Sequence, residues 1–251
     1  MTSEQLLAAL DLPPAAAVGQ RVPKKLLLEN GAPTSADKRL INEGVEELRW
    51  IAVLKHSTCG VPEFRDAVRE YLEIAVLHVR LRSTAKVGRL IELIHRAVPY
   101  PVLLIEEDAD GRRLSLAHKR VALNEAAKVV LDGEPESVEL ASANGEVAAG
   151  FLQALSIARQ PKGTLYALYQ GWLDTVLALK AAAITGQFTI HDAASRVELR
   201  RRALQRVAEL QDRIAVLRRE AAKASQMARQ VELNLQLRKL EGELVQEEGG
   251  L

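Results

Sequence analysis

The run 197-VELRRRALQRVAELQDRIAVLRREAAKASQMARQVELNLQLRKLEGEL-244 decides the architecture of the C-terminal part of the chain. It contains no proline, and Gly242 is its only glycine. Apolar residues recur at alternating steps of three and four, the pattern of helices that pair in a coiled coil, and they are Val207, Leu210, Ile214, Leu217, Ala221 and Ala224. The run therefore predicts a long amphipathic helix.

The distal half of this run carries a phase slip. Met227 follows Ala224 by three residues, so two steps of three occur in succession, as in a stammer. The seam then resumes with Asn234 near its core side, where a buried Asn can fix the register of a helix pair. The candidate seam for a partner is Leu210, Ile214, Leu217, Val231, Asn234 and Leu237. Two partners for this seam are open. The seam can pack on its own chain, first of all on an apolar helix around Trp172, or it can form a two-helix hairpin or a dimer zipper used for assembly.

Composition sets limits on the class of protein. With 251 residues, 48% of them hydrophobic and 27% charged, the chain can bury an ordinary core in one large or two modest domains. The net charge of +1 gives no global argument for nucleic-acid binding, so local patches must supply it. Cys59 is the single cysteine, which excludes a disulfide framework and a cysteine zinc site.

The sequence also predicts the compartment. The N-terminal stretch MTSEQLLAALDLPP is too short and too acidic for a signal peptide. Apolar runs stay below the roughly 18 residues that a membrane span needs. We therefore expect a soluble, cytoplasmic protein without membrane contact.

The N-terminal half predicts a mixed β-sheet with flanking helices. The clearest strand is Leu72–Arg82, where apolar residues fill one face. Thr84 is predicted to cap a helix that runs to Ala97. Further strands are predicted at Leu48–Leu54 (or a helix through the same residues), at Val102–Ile105, at Arg112–Val121 after the Asp110-Gly111 turn, and as an edge pair at Val129–Leu131 and Val138–Leu140.

After about residue 146 the pattern is helical only. One helix is predicted from Val147 to Ala158, and a second, apolar over more than half its circumference, surrounds Trp172. The predicted fold class is therefore α+β. Residues 1–146 form a mixed-sheet domain with flanking helices. Residues 147–251 form a helical domain that ends in the long amphipathic helix, as a helical hairpin or coiled-coil unit. The order of the strands is not predicted.

Candidate catalytic residues are few. The acidic cluster Glu106-Glu107-Asp108, with Glu73 and Lys119 on neighbouring strands, allows comparison with Mg²⁺-dependent nucleases. Such sites need an acid and a lysine two residues apart on one strand, and the pattern here lacks this pair. The sequence shows no nucleophile elbow, no glycine-rich phosphate loop and no histidines at metal-ligand spacing. We predict no catalytic residue, no metal and no cofactor, and a protein without enzymatic activity.

Basic residues are clustered more informatively. Residues 191–230 contain ten Lys/Arg against five Asp/Glu, whereas residues 231–251 contain two against five. This charge asymmetry is compatible with antiparallel pairing of the helix with itself and with binding of a nucleic-acid phosphate backbone. It is equally compatible with a solvent-exposed helix face that binds nothing. The candidate positions for nucleic-acid or anion binding are Lys24, Lys25, Lys119, Arg120, Arg201, Arg202, Arg218 and Arg219.

Several stretches resemble a bacterial family known as domain of unknown function 4391, and the resemblance covers nearly the whole chain. They are Val22–Lys25 with Glu29-Asn30, Trp50–Lys55, Arg96–Pro101, and Gln226–Asn234 leading into Leu237, Leu240 and Leu244. The last motif is the most specific. Met227 and Ala228 stand where the family pattern has an aromatic residue and an Asn, so no role of those two side chains is carried over. Some members are encoded beside helicases and DNA methyltransferases of restriction or phage-defence type. The resemblance implies a DNA-linked accessory role and supplies no catalytic residues.

The function predicted from these observations is a non-enzymatic accessory protein. It would use the long basic amphipathic helix to contact a protein partner, a second copy of itself or DNA, within a DNA restriction or phage-defence system. The alternative is a cryptic Mg²⁺-dependent nuclease that uses Glu73, Glu106, Asp108 and Lys119.

Overall fold

A computed structural model describes residues 1–82, 86–122, 125–141, 143, 145–191 and 193–251. These residues form two compact units, Met1–Val176 and Leu177–Leu251. The domain boundary proposed after residue 146 stays a prediction. The cap proposed at Thr84 lies outside the described residues.

The first unit contains the sheet and most of the shorter helices. Its helices are α1 (Ser3–Leu10), α2 (Lys24–Asn30), α3 (Ser35–Gly44), α4 (His56–Cys59), α5 (Val87–Ala97), α6 (Gly145–Leu155) and the first part of α7 (Leu165–Thr185). Its strands are β1 (Ala17–Arg21), β2 (Val45–Leu54), β3 (Phe64–Arg65), β4 (Glu70–Tyr71), β5 (Ile74–Leu81), β6 (Val102–Glu107), β7 (Arg112–Ala117), β8 (Lys119–Ala122), β9 (Glu125–Leu131) and β10 (Glu136–Glu139).

The main sheet has the order β1-β2-β5-β6-β7-β10. The central pair β5–β6 is parallel, and the other neighbours are antiparallel. A parallel pair needs a crossover connection, and α5 supplies it between β5 and β6. The mixed sheet with segregated helices confirms the predicted α+β class.

The central strands form because their side chains are apolar on both faces. β5 and β6 are buried almost throughout, which explains why both read as nearly continuous apolar runs. On one face, Leu90 and Ile94 of α5 join Leu77 and Leu104 of the sheet in a buried cluster. The strand predicted at Leu48–Leu54 is confirmed as the C-terminal part of β2, so the helical alternative there is wrong.

Two predictions in the β-rich part are wrong. The strand predicted at Arg112–Val121 divides at His118 into β7, in the main sheet, and β8, which pairs with β9 in a separate ribbon. The predicted edge pair does not form either, because β9 pairs with β8 while Val138 of β10 lies opposite Leu114 of β7. Alternation identified these segments as strands but carried no information about their partners.

The second unit contains two long helices, α8 (Ala194–Lys223) and α9 (Met227–Glu248). The prediction of one continuous helix through this run is therefore wrong. Helix α8 ends at Lys223, the next residue Ala224 has an extended backbone at φ −71° and ψ 121°, and α9 begins after Gln226. The break coincides with the phase slip in the apolar pattern. α8 and α9 pack together as a helical hairpin, in agreement with the predicted C-terminal unit.

Candidate interaction surface

The hairpin is held by a small apolar core. Leu210 and Ile214 of α8 are buried with Leu237 and Leu240 of α9, and Leu217, Ala221 and Leu244 pack around them at partial exposure. Three of the predicted seam residues, Leu210, Ile214 and Leu237, are thus buried within one chain. The register places the two helices antiparallel, because later residues of α9 meet earlier residues of α8.

Ion pairs cross the hairpin beside this core. Arg206 of α8 lies 3.3 Å from Glu243 of α9, and Arg218 lies 2.7 Å from Glu241. The basic first half and the acidic second half of the sequence run therefore face each other within the chain. Acidic side chains of α9 therefore neutralise part of the positive charge of α8.

Helix α9 carries a second apolar face that the hairpin does not cover. Met227, Val231, Leu235 and Val245 are 80%, 55%, 62% and 67% exposed. Met227, Val231 and Leu235 follow one another by four residues, and Val245 lies five turns after Met227 at 3.6 residues per turn. This set, the outer stripe, points about 140° away from buried Leu233, Leu237 and Leu240 around the helix axis.

A shallow groove of about 420 Å³ lies along α9 at this stripe. Its lining includes Val231, Leu235 and Leu237, and the polar residues Asn234, Arg238 and Glu241. Two predicted seam residues, Val231 and Asn234, thus lie on the exposed side of the helix rather than in the hairpin core. Large exposed apolar side chains grouped in this way are typical of protein contact sites.

The candidate cations of α8 are exposed but differ in their partners. Arg202 pairs with Glu198 at 2.8 Å, and Arg218 pairs with Glu241 across the hairpin. The Arg219 guanidinium donates to the carbonyl of Ala215, one turn earlier in the helix. Arg201 has no ion pair among the described residues, so it is the least compensated of the four.

The candidate cations of the first unit are engaged locally. Lys24 Nζ donates to the carbonyl of Asn42 at 3.1 Å, near the C-terminus of α3. Burial, together with the charges of Arg82 and Arg21, lowers the Lys24 pKa. Lys25 is exposed and lies 3.6 Å from Glu29, four residues on. Lys24 and Lys25 belong to the first unit, whereas the cations of α8 belong to the second.

Lys119 is buried, although the sequence placed it in a basic patch. Its ammonium donates to the carbonyls of His95, at 2.5 Å, and Val98, beyond the C-terminal end of α5. Burial lowers the Lys119 pKa to about 7. Arg120, the next residue, lies 3.8 Å from Asp132 and is partly exposed. The two neighbours therefore face different environments and do not form a joint anion site.

The four residues of the nuclease alternative lie at two ends of the sheet. Glu73 precedes β5 and Lys119 follows Ala117, which pairs with Val102 at the start of β6. Glu106 lies four residues after Val102, roughly 13 Å along β6, and Asp108 lies just beyond the strand, roughly 20 Å along it at 3.3 Å per residue. No group of three metal-binding side chains occurs within the described ranges. Glu73, Glu106 and Asp108 are therefore not gathered into one metal-binding group, and the nuclease alternative stays a prediction.

Glu106 has a structural environment of its own. Its side chain is fully buried, and Oε1 accepts a hydrogen bond from the Ser115 hydroxyl at 2.5 Å. Ser115 also lies 2.9 Å from His95 Nε2. Burial raises the Glu106 pKa to about 8, an effect that the Ser115 hydrogen bond and the charge of Arg113 oppose. The carboxyl is therefore largely protonated at neutral pH.

Sequence reasoning missed a polar network centred on His118. Gln170 donates from Nε2 to Asp174 at 2.7 Å, which turns its Oε1 toward His118 Nε2 at 2.8 Å. His118 Nε2 therefore carries the proton, and Nδ1 accepts from the Tyr71 hydroxyl. Tyr166 stacks on the His118 ring with centroids 5.3 Å apart. The four-residue steps Tyr166, Gln170, Asp174 on α7 were the available sequence signal.

The fold and the exposed helical face define a class: an α+β protein with a C-terminal helical hairpin that presents an apolar stripe. The chain belongs to the family described as Domain of unknown function (DUF4391), whose model matches residues 10–244. No curated protein and no solved structure matches the chain. Within the described residues, no helix is long and apolar enough to cross a membrane.

Proposed function

We propose that this protein is a non-enzymatic accessory protein that binds a protein partner through the outer stripe of α9. The observation that carries the proposal is the pair of apolar faces on one helix. Leu233, Leu237 and Leu240 are buried, whereas Met227, Val231, Leu235 and Val245 remain exposed. A helix that only completes a hairpin needs one such face.

The charges around the hairpin favour protein over DNA as the partner. Arg206 and Arg218 are compensated by Glu243 and Glu241, so the basic half-helix keeps only part of the charge that its sequence suggests. The outer stripe is apolar, and phosphate backbones are bound by cations rather than by apolar side chains. The family resemblance supports a role in a DNA restriction or phage-defence system, and we place the protein in the cytoplasm.

A photo-crosslinking residue at position 235 tests this proposal in cells of the native host. We expect one defined protein adduct, identified by mass spectrometry, that disappears when Val231→Glu is added. The matched control carries the same crosslinker at Val216, an apolar residue of α8 that is also exposed. An identical pattern of adducts at positions 235 and 216, or no adduct at either, would overturn the proposal.

A separate measurement decides whether DNA is the partner instead. The double variant Arg201→Ala/Arg202→Ala removes two exposed cations from α8. We expect retention on immobilised duplex DNA to be weak and unchanged by the substitutions. Strong, salt-dependent retention that falls in the double variant would assign the hairpin to DNA, since each lost phosphate contact weakens binding and reduces its dependence on salt.

A further inference from the structure

The outer stripe of α9 has a self-complementary arrangement of side chains. Between Met227 and Val245 it extends about 27 Å, at 1.5 Å per residue. The apolar residues lie near both ends and at the centre, where Leu235 is 62% exposed. A surface that meets its own copy about a two-fold axis must match itself when its direction is reversed.

The charged flank of the stripe fulfils this condition. Glu232 and Lys239 lie within about 20° of each other around the helix axis, on the same side of the stripe. They are placed symmetrically about the Leu235-Gln236 bond. An antiparallel copy centred there brings each Lys239 opposite the other copy's Glu232. Lys239 makes no ion pair within the described part of its own chain. Glu232 pairs with Arg229 at 2.7 Å on its own helix, so the copy's Lys239 would approach a carboxylate that this arginine already contacts.

Two further pairs have their centre half a residue away, at Gln236. Met227 and Val245 are equidistant from Gln236, so an axis at that position brings these apolar side chains together at both ends of the interface. Asn234 and Arg238 are equidistant from the same residue and would meet near the middle. Polar residues within an apolar seam fix its register, which gives Asn234 the role that its place in the sequence suggested.

We infer that the outer stripe binds a second copy of this chain, with the two α9 helices antiparallel about an axis near Leu235. The inference rests on the proposed function and names the partner of the same surface. Its basis is three contacts whose centres along α9 agree to within half a residue: one apolar pair, one polar pair and one pair of opposite charges.

Sedimentation of the full-length protein over a range of concentrations tests the inference. We expect a concentration-dependent dimer. In Leu235→Glu its dissociation constant should rise at least about a hundredfold, because each dimer loses two buried leucines. Val216→Glu should leave dimerisation unchanged, and circular dichroism should report the same helix content for all variants.

A charge exchange makes the test specific for the register. Glu232→Lys alone should weaken the dimer, and Glu232→Lys combined with Lys239→Glu should restore it. A monomer at every concentration, a dimer insensitive to Leu235→Glu, or a charge exchange without recovery would overturn the inference. A monomer that still gives a crosslink from position 235 to a different protein would refute the dimer and leave the proposed function standing.

Discussion

Replacing Glu106 by Gln should change how the stability of the protein depends on pH. Glu106 is fully buried between β6 and β7, and burial raises its pKa from 4.5 to about 8. Gln has nearly the same shape and keeps an oxygen that can accept from the Ser115 hydroxyl. The substitution therefore removes the titration with little change in packing.

The sign and size of the effect follow from proton binding. Between about pH 4.5 and pH 8 the unfolded chain has lost the Glu106 proton, whereas the folded protein retains it. The folded state then binds more protons, so the free energy of unfolding of the wild type falls as the pH rises. One pKa unit corresponds to about 1.4 kcal/mol, so the full difference is on the order of 5 kcal/mol.

Urea unfolding at several pH values measures this difference. We expect Glu106→Gln to gain stability relative to the wild type steadily as the pH rises through this window. Glu107→Gln is the matched control, because the Ser3 hydroxyl and Arg112 hold the Glu107 pKa below its usual range. The Glu107 carboxylate stabilises the folded state at pH values above the pKa of the unfolded chain and loses that effect in acid. Glu107→Gln should therefore lose stability relative to the wild type as the pH rises, opposite to Glu106→Gln. Parallel pH profiles for Glu106→Gln and the wild type would refute the reasoning.

Three further predictions concern stability. Burial lowers the Lys119 pKa to about 7, so between about pH 7 and 10.5 the unfolded chain binds this proton and the folded protein does not. The free energy of unfolding of the wild type, relative to that of Lys119→Met, should therefore rise with pH in this window. Urea unfolding at several pH values that shows no such rise would contradict this. Tyr169→Phe removes the hydroxyl that accepts from the buried Ala117 N–H, so its free energy of unfolding should fall by about 1–3 kcal/mol, and an unchanged value would count against that hydrogen bond. Leu240→Ala should lower the free energy of unfolding by about 2–5 kcal/mol in thermal or urea unfolding, because Leu240 is buried in the hairpin. Val231→Ala, at an exposed position, should change it by no more than about 0.5 kcal/mol. Equal effects would contradict the assignment of the two faces of α9.

The central strands were predictable because burial leaves a direct trace in the sequence. β5 and β6 are apolar on both faces, and Asp110-Gly111 marks the turn into β7. Pairing was less accessible, since the choice between β7, β8 and β9 depends on contacts far apart in the chain. The division of one predicted strand at His118 has no marker such as glycine or proline.

The hairpin shows the same limit. The stammer between Ala224 and Met227 marked the place where the helix breaks, but the heptad pattern is identical for pairing within and between chains. In the structure Leu240 is buried against Leu210 and Ile214 of α8, which shows that this seam pairs within the chain. The roles of Lys119 and Glu106 were also inaccessible, because a charged residue on a strand gives no sign that its side chain turns into the core.

A disulfide test addresses the central claim about the outer stripe most directly. In a Cys59→Ser background, Met227→Cys and Val245→Cys are introduced singly and together, and the protein is oxidised at a concentration where it associates. The antiparallel pairing predicts a covalent dimer from the double variant and little from either single variant, because a disulfide requires Cα atoms within about 7 Å. No covalent dimer from the double variant, or efficient linkage by Met227→Cys alone, would contradict the account.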